Sequence, residues 1–308
     1  MRHAVFSPGL SSRILAGAEA ILPGKVRRPM DLSDRLAAIR TQLDDGEEKR
    51  GLRDARALSV ECPTDPRVAL VHAEAAWAND SIEECRHVSE HALTLLGPVV
   101  ADRRAAWELA EVHYWLGRVE WRLWRFAEAE RELRTALEMA PDDPSLWALL
   151  AEVLERTGRD GEAKDADRRA EELDPERFPH PVRFARKEAE AALREALEAL
   201  PEEFQDAVAE VPIILERFPA LQMVRAEDPG ALPFPPDILG LYTGVSRADR
   251  SYFHGFEPPG TILLFQGNLE RLCADRDTLI EEIAITLEHE LAHYLGFEES
   301  AMEDLGLE

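Results

Sequence analysis

A 34-residue period in the first half of the chain limits its fold more than any other feature. A frame starting at Ala110 places Leu116 and Gly117 at positions seven and eight, and Ala129 at twenty. The same frame has Leu133 at twenty-four, Ala136 at twenty-seven and Pro141 at thirty-two. The next frame starts at Pro144 and repeats the pattern with Trp147 at four, Leu150 and Ala151 at seven and eight, Ala163 at twenty, Ala170 at twenty-seven and Pro175 at thirty-two. Small residues at eight, twenty and twenty-seven let two helices approach closely. A proline at thirty-two stops the second helix before the next unit. Such a hairpin cannot bury its apolar face alone, so several must stack.

Two weaker copies lie upstream. Residues 66–99 carry Ala73, Cys85 and Ala92 at the small positions, and residues 31–64 carry Ala38 at eight and Ala57 at twenty-seven. About ten extra residues, Val100–Leu109, separate the second copy from the third and call for a longer helix or loop. The pattern resembles the tetratricopeptide repeat. All six tryptophans fall in this half. They read as stacking core, with a sharper alternative that some line a concave peptide-binding face. Trp121 and Trp124, interleaved with Arg122 and Arg125, are the residues that alternative picks out.

The repeats end at Asp174–Pro181, where three prolines stop the helix and favour extended backbone. The domain reading is therefore a loose tail over 1–30, a repeat domain over 31–177 and a second domain over 178–308. That second part mixes element types. Phe184–Leu200 has helical spacing, and Pro201 opens a short helix. Val211–Leu215, Leu239–Val245 and Thr261–Gln266 read as strands. A long helix is expected over Thr278–Leu295, with Thr278 and Glu281 as a capping box. Thr261–Gln266 is either an edge strand that binds extended substrate through its main chain or an interior strand, and its apolar residues suit both.

On the last helix sits His289-Glu290-Leu291-Ala292-His293. Residues four apart share a helix face, so both imidazoles reach one metal ion. Glu290 is placed to take a proton from a metal-bound water. Gly296 suits the left-handed turn that ends a helix, and that turn carries Glu299 back as a third ligand. Two histidines, a carboxylate and an open position form a catalytic zinc pattern, not a closed structural one.

From about Phe184 onward the chain resembles the minimal zincin-like bacterial metallopeptidase family. The resemblance rests on Ala199-Leu-Pro-Glu-Glu-Phe204, Ile238-Leu-Gly-Leu-Tyr-Thr-Gly244, Thr261-Ile-Leu-Leu-Phe-Gln-Gly267, the segment Glu282–Gly296, and Met302-Glu-Asp-Leu-Gly306. It implies a small α+β zincin-like domain after an all-α solenoid, with His289 and His293 on zinc and Glu290 as acid/base. The family usually has aspartate where this chain has Glu299, so Glu298 and Asp304 stay open as alternative third ligands. Tyr242, Tyr252, His254 and Tyr294 are candidate oxyanion stabilisers.

Composition narrows the partners. The net charge is −25 and the pI about 4.8, which argues against nucleic acid and anionic membranes. Three scattered cysteines and no long apolar run suit free thiols in the cytoplasm. No serine elbow, cysteine–histidine pair or phosphate loop competes with the metal motif. The leading expectation is a zinc peptidase whose repeats recruit a protein partner or peptide substrate. The alternative is a weak or inactive metal-binding protein acting as a repeat scaffold.

Overall fold

The computed structural model describes residues 30–97, 103–225, 231–248, 260–297 and Met302. The tail expected at the N-terminus lies outside them up to residue 29. Two compact units divide the chain, one running to Leu173 and one starting at Asp174.

Among the described residues the first unit holds four helical hairpins. These are α1 (Leu32–Asp44) with α2 (Glu48–Glu61), α3 (Pro66–Ala78) with α4 (Ile82–Leu96), α5 (Arg103–Arg122) with α6 (Phe126–Met139), and α7 (Pro144–Arg156) with α8 (Asp160–Leu173). The starts of α3 and α7 follow from local chemistry. Asp65 and Asp143 accept from the main-chain N–H of Arg67 and Ser145, and Pro66 and Pro144 fill first-turn positions whose N–H would go unused. The insertion before the third hairpin gives a longer helix. The α5 helix has 20 residues where α1, α3 and α7 have 13 each.

Small residues sit where the helices meet. Ala73, Cys85, Ala92, Ala129, Ala136 and Ala151 are fully buried. The first copy is out of register by one with the frame expected for it. Its frame starts at Leu32, which puts buried Gly51 at twenty and Leu58 at twenty-seven, while Ala57 is exposed. A methyl group on Gly51 would lie 2.6 Å from Leu43 Cδ2. Glycine therefore does at that contact what alanine or cysteine does in the other copies.

Each hairpin turns through a left-handed residue, at Gly46 (φ 77°), Asp80 (φ 50°), Trp124 (φ 63°) and Gly158 (φ 74°). Left-handed backbone costs an L-residue about 1–2 kcal/mol. Nothing lies within 4 Å of where a Cβ would stand on Gly158, so a substitution there isolates backbone strain. Gly158→Ala is expected to cost about 1 kcal/mol, read as a lower urea midpoint at unchanged slope. An unchanged midpoint would contradict the strain argument.

The tryptophans divide differently from the concave-face alternative. Trp121 is 4% exposed and Arg122 5%, so both belong to the packed interior. Trp107, at 38%, is the tryptophan most open to solvent. Trp115 is buried beside Trp77 and Tyr114.

The second unit is α+β. It contains α9 (Arg186–Ala199), α10 (Glu202–Glu210), β1 (Ile213–Glu216), β2 (Gly240–Thr243), β3 (Thr261–Phe265), α11 (Gln266–Leu272) and α12 (Arg276–Leu295). The sheet order is β1-β3-β2, with β1 parallel and β2 antiparallel to β3. Hence Thr261–Phe265 is the central strand, paired on both sides, and not an edge open to substrate. Its burial explains this: Ile262, Leu264 and Phe265 are fully buried, and an apolar strand gains most where both neighbours are protein. One core joins Ala189, Ala192 and Ala196 of α9 to the sheet and to Ile283, Leu287 and Leu291 of α12.

The α12 helix starts two residues earlier than the capping box suggests. Asp275 is the cap, and its carboxylate accepts from both the N–H and the hydroxyl of Thr278. An aspartate three residues ahead outcompetes a threonine hydroxyl as acceptor. The same contacts hold the Asp275 carboxyl below its usual range.

Candidate metal centre

The α12 helix carries His289, Glu290 and His293 on its last two turns. Four-residue spacing brings both imidazoles to one face, with His289 Nε2 3.2 Å from His293 Nε2. The rings stand nearly perpendicular, at 84°. His289 is 9% exposed and Glu290 6%. The helix then ends at Gly296 in left-handed backbone (φ 101°), with its N–H closing on Ala292 and His293 carbonyls. That is the glycine stop expected from the sequence.

The donor set fits a tetrahedral ion. Two imidazole nitrogens, each about 2.05 Å from one zinc ion at a near-tetrahedral angle, stand roughly 3.3 Å apart. The observed separation matches. Among the described residues no group of three His, Cys, Asp or Glu side chains converges. The expected third ligand, Glu299, lies outside the described residues, as do Glu298 and Asp304. Tyr252 and His254 lie outside them too.

Glu290 is held by the sheet. Its Oε2 accepts from the main-chain N–H of Tyr242 on β2 at 2.5 Å. A backbone donor keeps its proton at any working pH, so this contact stays available to the carboxylate. The approach of β2 to α12 depends on Gly240. A Cβ on Gly240 would lie 2.7 Å from Thr286 Cγ2, 2.9 Å from Glu290 Cγ and 3.0 Å from Glu290 Oε1. Sequence reasoning missed both Gly240 and the Tyr242 N–H. The only signal was the glycine within Leu239–Tyr242, since glycine inside a strand marks close approach of another element.

The two candidate tyrosines among the described residues already have hydroxyl partners. Tyr242 donates its hydroxyl to the Val245 carbonyl at 2.8 Å. Tyr294 is fully buried and donates to Glu210 Oε2 at 2.5 Å. Their rings meet edge to face at 5.8 Å. Both hydroxyls anchor α12 and the turn after β2 in this arrangement. Burial pushes the Cys273 and Cys85 thiols up to about 12, so neither offers a thiolate at neutral pH.

Residues 208–307 match the family model described as zincin-like metallopeptidase. Residues 110–143 match the tetratricopeptide repeat. Over residues 208–307 the chain is similar to a zincin-like metallopeptidase domain.

The chain is similar to two solved repeat proteins. TTC0263, a thermophilic TPR protein of Thermus thermophilus, shares 25% identity over 48% of this chain and 76% of its own, with a TM-score of 0.40. MamA shares 16% identity over 48% of this chain and 77% of its own, with a TM-score of 0.37. No curated protein matches the chain. The family match begins at residue 208, whereas the packed core of the zincin-like unit reaches back to Ala189 on α9. The α9 helix therefore belongs physically to the zincin-like fold, because it covers a face of α12 that would otherwise be apolar and open.

Proposed function

We propose that the zincin-like unit is a zinc-dependent peptidase and that the repeats bring it a protein partner or peptide substrate. The observation that carries the reading is the pair of imidazole nitrogens 3.2 Å apart beside a carboxylate fixed by a main-chain donor. His289 and His293 would hold the ion through Nε2, and Glu299 would complete the set from beyond the Gly296 turn. A carboxylate beside two imidazoles suits zinc, and it leaves one position open.

When bound, zinc polarises a carbonyl and lowers the pKa of its water to about 7. The chain's residues supply the rest. Glu290 accepts the proton of the attacking water and passes it to the leaving amine. The Tyr242 N–H holds the Oε2 atom of that carboxylate. Leu287 and Leu291, both fully buried, fix the helix against the sheet, so the acid/base cannot drift from the metal ligands. Free thiols at Cys62, Cys85 and Cys273 support a reducing, cytoplasmic setting. Among the described residues no helix is long and apolar enough to cross a membrane.

Metal content tests the reading directly. Purified protein is expected to carry about one equivalent of zinc by mass spectrometry, and a His289→Ala/His293→Ala double variant none. Wild-type protein that takes up no zinc on incubation would sink the proposal and favour the repeat scaffold.

A further inference from the structure

A pocket of about 350 Å³ opens within the first unit, between α1, α3 and α5. Its walls are of two kinds. Leu36, Ala37, Leu70 and Val71 are apolar, with half-open Trp107 beside them. Asp44, Glu74, Glu108 and Glu111 contribute carboxylates, against the guanidiniums of Arg40, Arg67 and Arg104.

The ion pairs do not balance. Arg67 is turned to Asp65, which it grips with two donors at 3.0 and 2.6 Å. Arg104 reaches Glu108 at 3.2 Å from a largely exposed position. That leaves Arg40 to serve two glutamates, Glu74 at 2.8 Å and Glu111 at 3.1 Å. The Glu111 side chain is 5% exposed. Its Oε1 takes Arg40, and its Oε2 is buried with no hydrogen-bond partner. A bare buried acceptor is unfavourable, so Glu111 Oε2 lacks a donor.

We propose that this pocket receives a lysine or arginine side chain of a protein partner, with the charged head on Glu111 and Glu108 and the alkyl stem along Leu36, Leu70 and Trp107. A bare metal ion would gain nothing from the apolar wall. An aliphatic ammonium or guanidinium uses both parts, since these side chains bury their stems and keep their heads on polar groups. Burial pushes the Glu111 carboxyl up to about 7, with Glu74, Glu108 and Asp143 adding to the effect and Arg40 opposing it. Glu74 is raised as well, chiefly by burial. An arriving cation relieves both. This inference rests on the repeats binding a partner and is independent of the peptidase chemistry.

The test uses the full chain with Glu290→Gln, so that no peptide is cut, and a fluorescein-labelled Ala-Leu-Lys-Leu-Ala peptide followed by anisotropy. Glu111→Gln and Trp107→Ala are each expected to weaken binding about tenfold, with Glu138→Gln, the same charge change outside the pocket, moving it less than twofold. The peptide with acetyl-lysine is expected to lose binding to the same extent. Thermal melts confirm that each variant folds. Equal weakening by Glu138→Gln would overturn the site as mere surface charge, as would undiminished binding of the acetylated peptide or no binding by any protein. Binding that appears only after residues 1–29 are removed would overturn the partner in favour of the chain's own Lys25–Arg28. The melts and zinc content leave the peptidase reading unaffected by any of these results.

Discussion

Glu290→Gln is expected to lower kcat/KM for peptide cleavage by about 10²–10⁴-fold while zinc content stays at one equivalent. That range corresponds to about 3–5 kcal/mol of lost transition-state stabilisation. The substitution is close to isosteric, and the glutamine oxygen still accepts from the Tyr242 N–H. Packing of α12 on β2 therefore survives, and only the proton transfer is lost. A peptide digest of both proteins, beside their zinc contents, reads the two effects separately. Cleavage by the variant at more than a tenth of the wild-type rate would remove Glu290 from the chemistry. Loss of zinc with activity would give it a structural role instead.

Gly240→Ala is the second large expectation, and it tests the sheet's part in the site. The added methyl would stand 2.7 Å from Thr286 Cγ2 and 2.9 Å from Glu290 Cγ. Both neighbours are buried on α12, so neither moves away freely. Overpacking of this kind costs about 1–3 kcal/mol. Either β2 lifts from α12 or Glu290 turns, and each breaks the bond to the Tyr242 N–H. The expected result is a lower melting temperature together with a tenfold or greater fall in kcat. Zinc content should stay near one equivalent, because the atoms nearest the added methyl belong to Thr286 and Glu290 and not to His289 or His293. A variant as stable and active as wild type would show that close approach of β2 plays no part in holding Glu290.

These two residues mark the limit of what is legible in the chain. His289, Glu290 and His293 could be read directly, because helix geometry alone puts residues four apart on one face. The glycine stop at Gly296 was legible for the same local reason. The donor that holds Glu290 was not. Tyr242 lies 48 residues away in sequence, and a main-chain N–H leaves no mark in a residue pattern. Gly240 stood in view as a glycine in a strand, but which atom approaches it depends on how β2 lies against α12.

The repeats show the same division. Period and small residues placed all four hairpins, since each is a local unit of helix, turn and helix. Register in the weakest copy slipped by one, because glycine at residue 51 replaces the expected alanine and shifts the pattern. Burial of Trp121 and Arg122, and exposure of Trp107, came only from stacking, which a single hairpin does not contain. Sheet order was likewise beyond the sequence. An apolar run such as Thr261–Phe265 is compatible with an edge or a centre, and pairing on both sides put it at the centre.

The sequence by itself determined the two-part architecture, the helical hairpins and the helix that pairs His289 with His293, because periodicity and i,i+4 spacing act within one element. Tertiary structure alone decided which backbone group holds Glu290, which strand is central and where a carboxylate is left without a donor. Those outcomes depend on which distant surfaces meet, and contacts between elements are set by packing, not by the order of residues in either one.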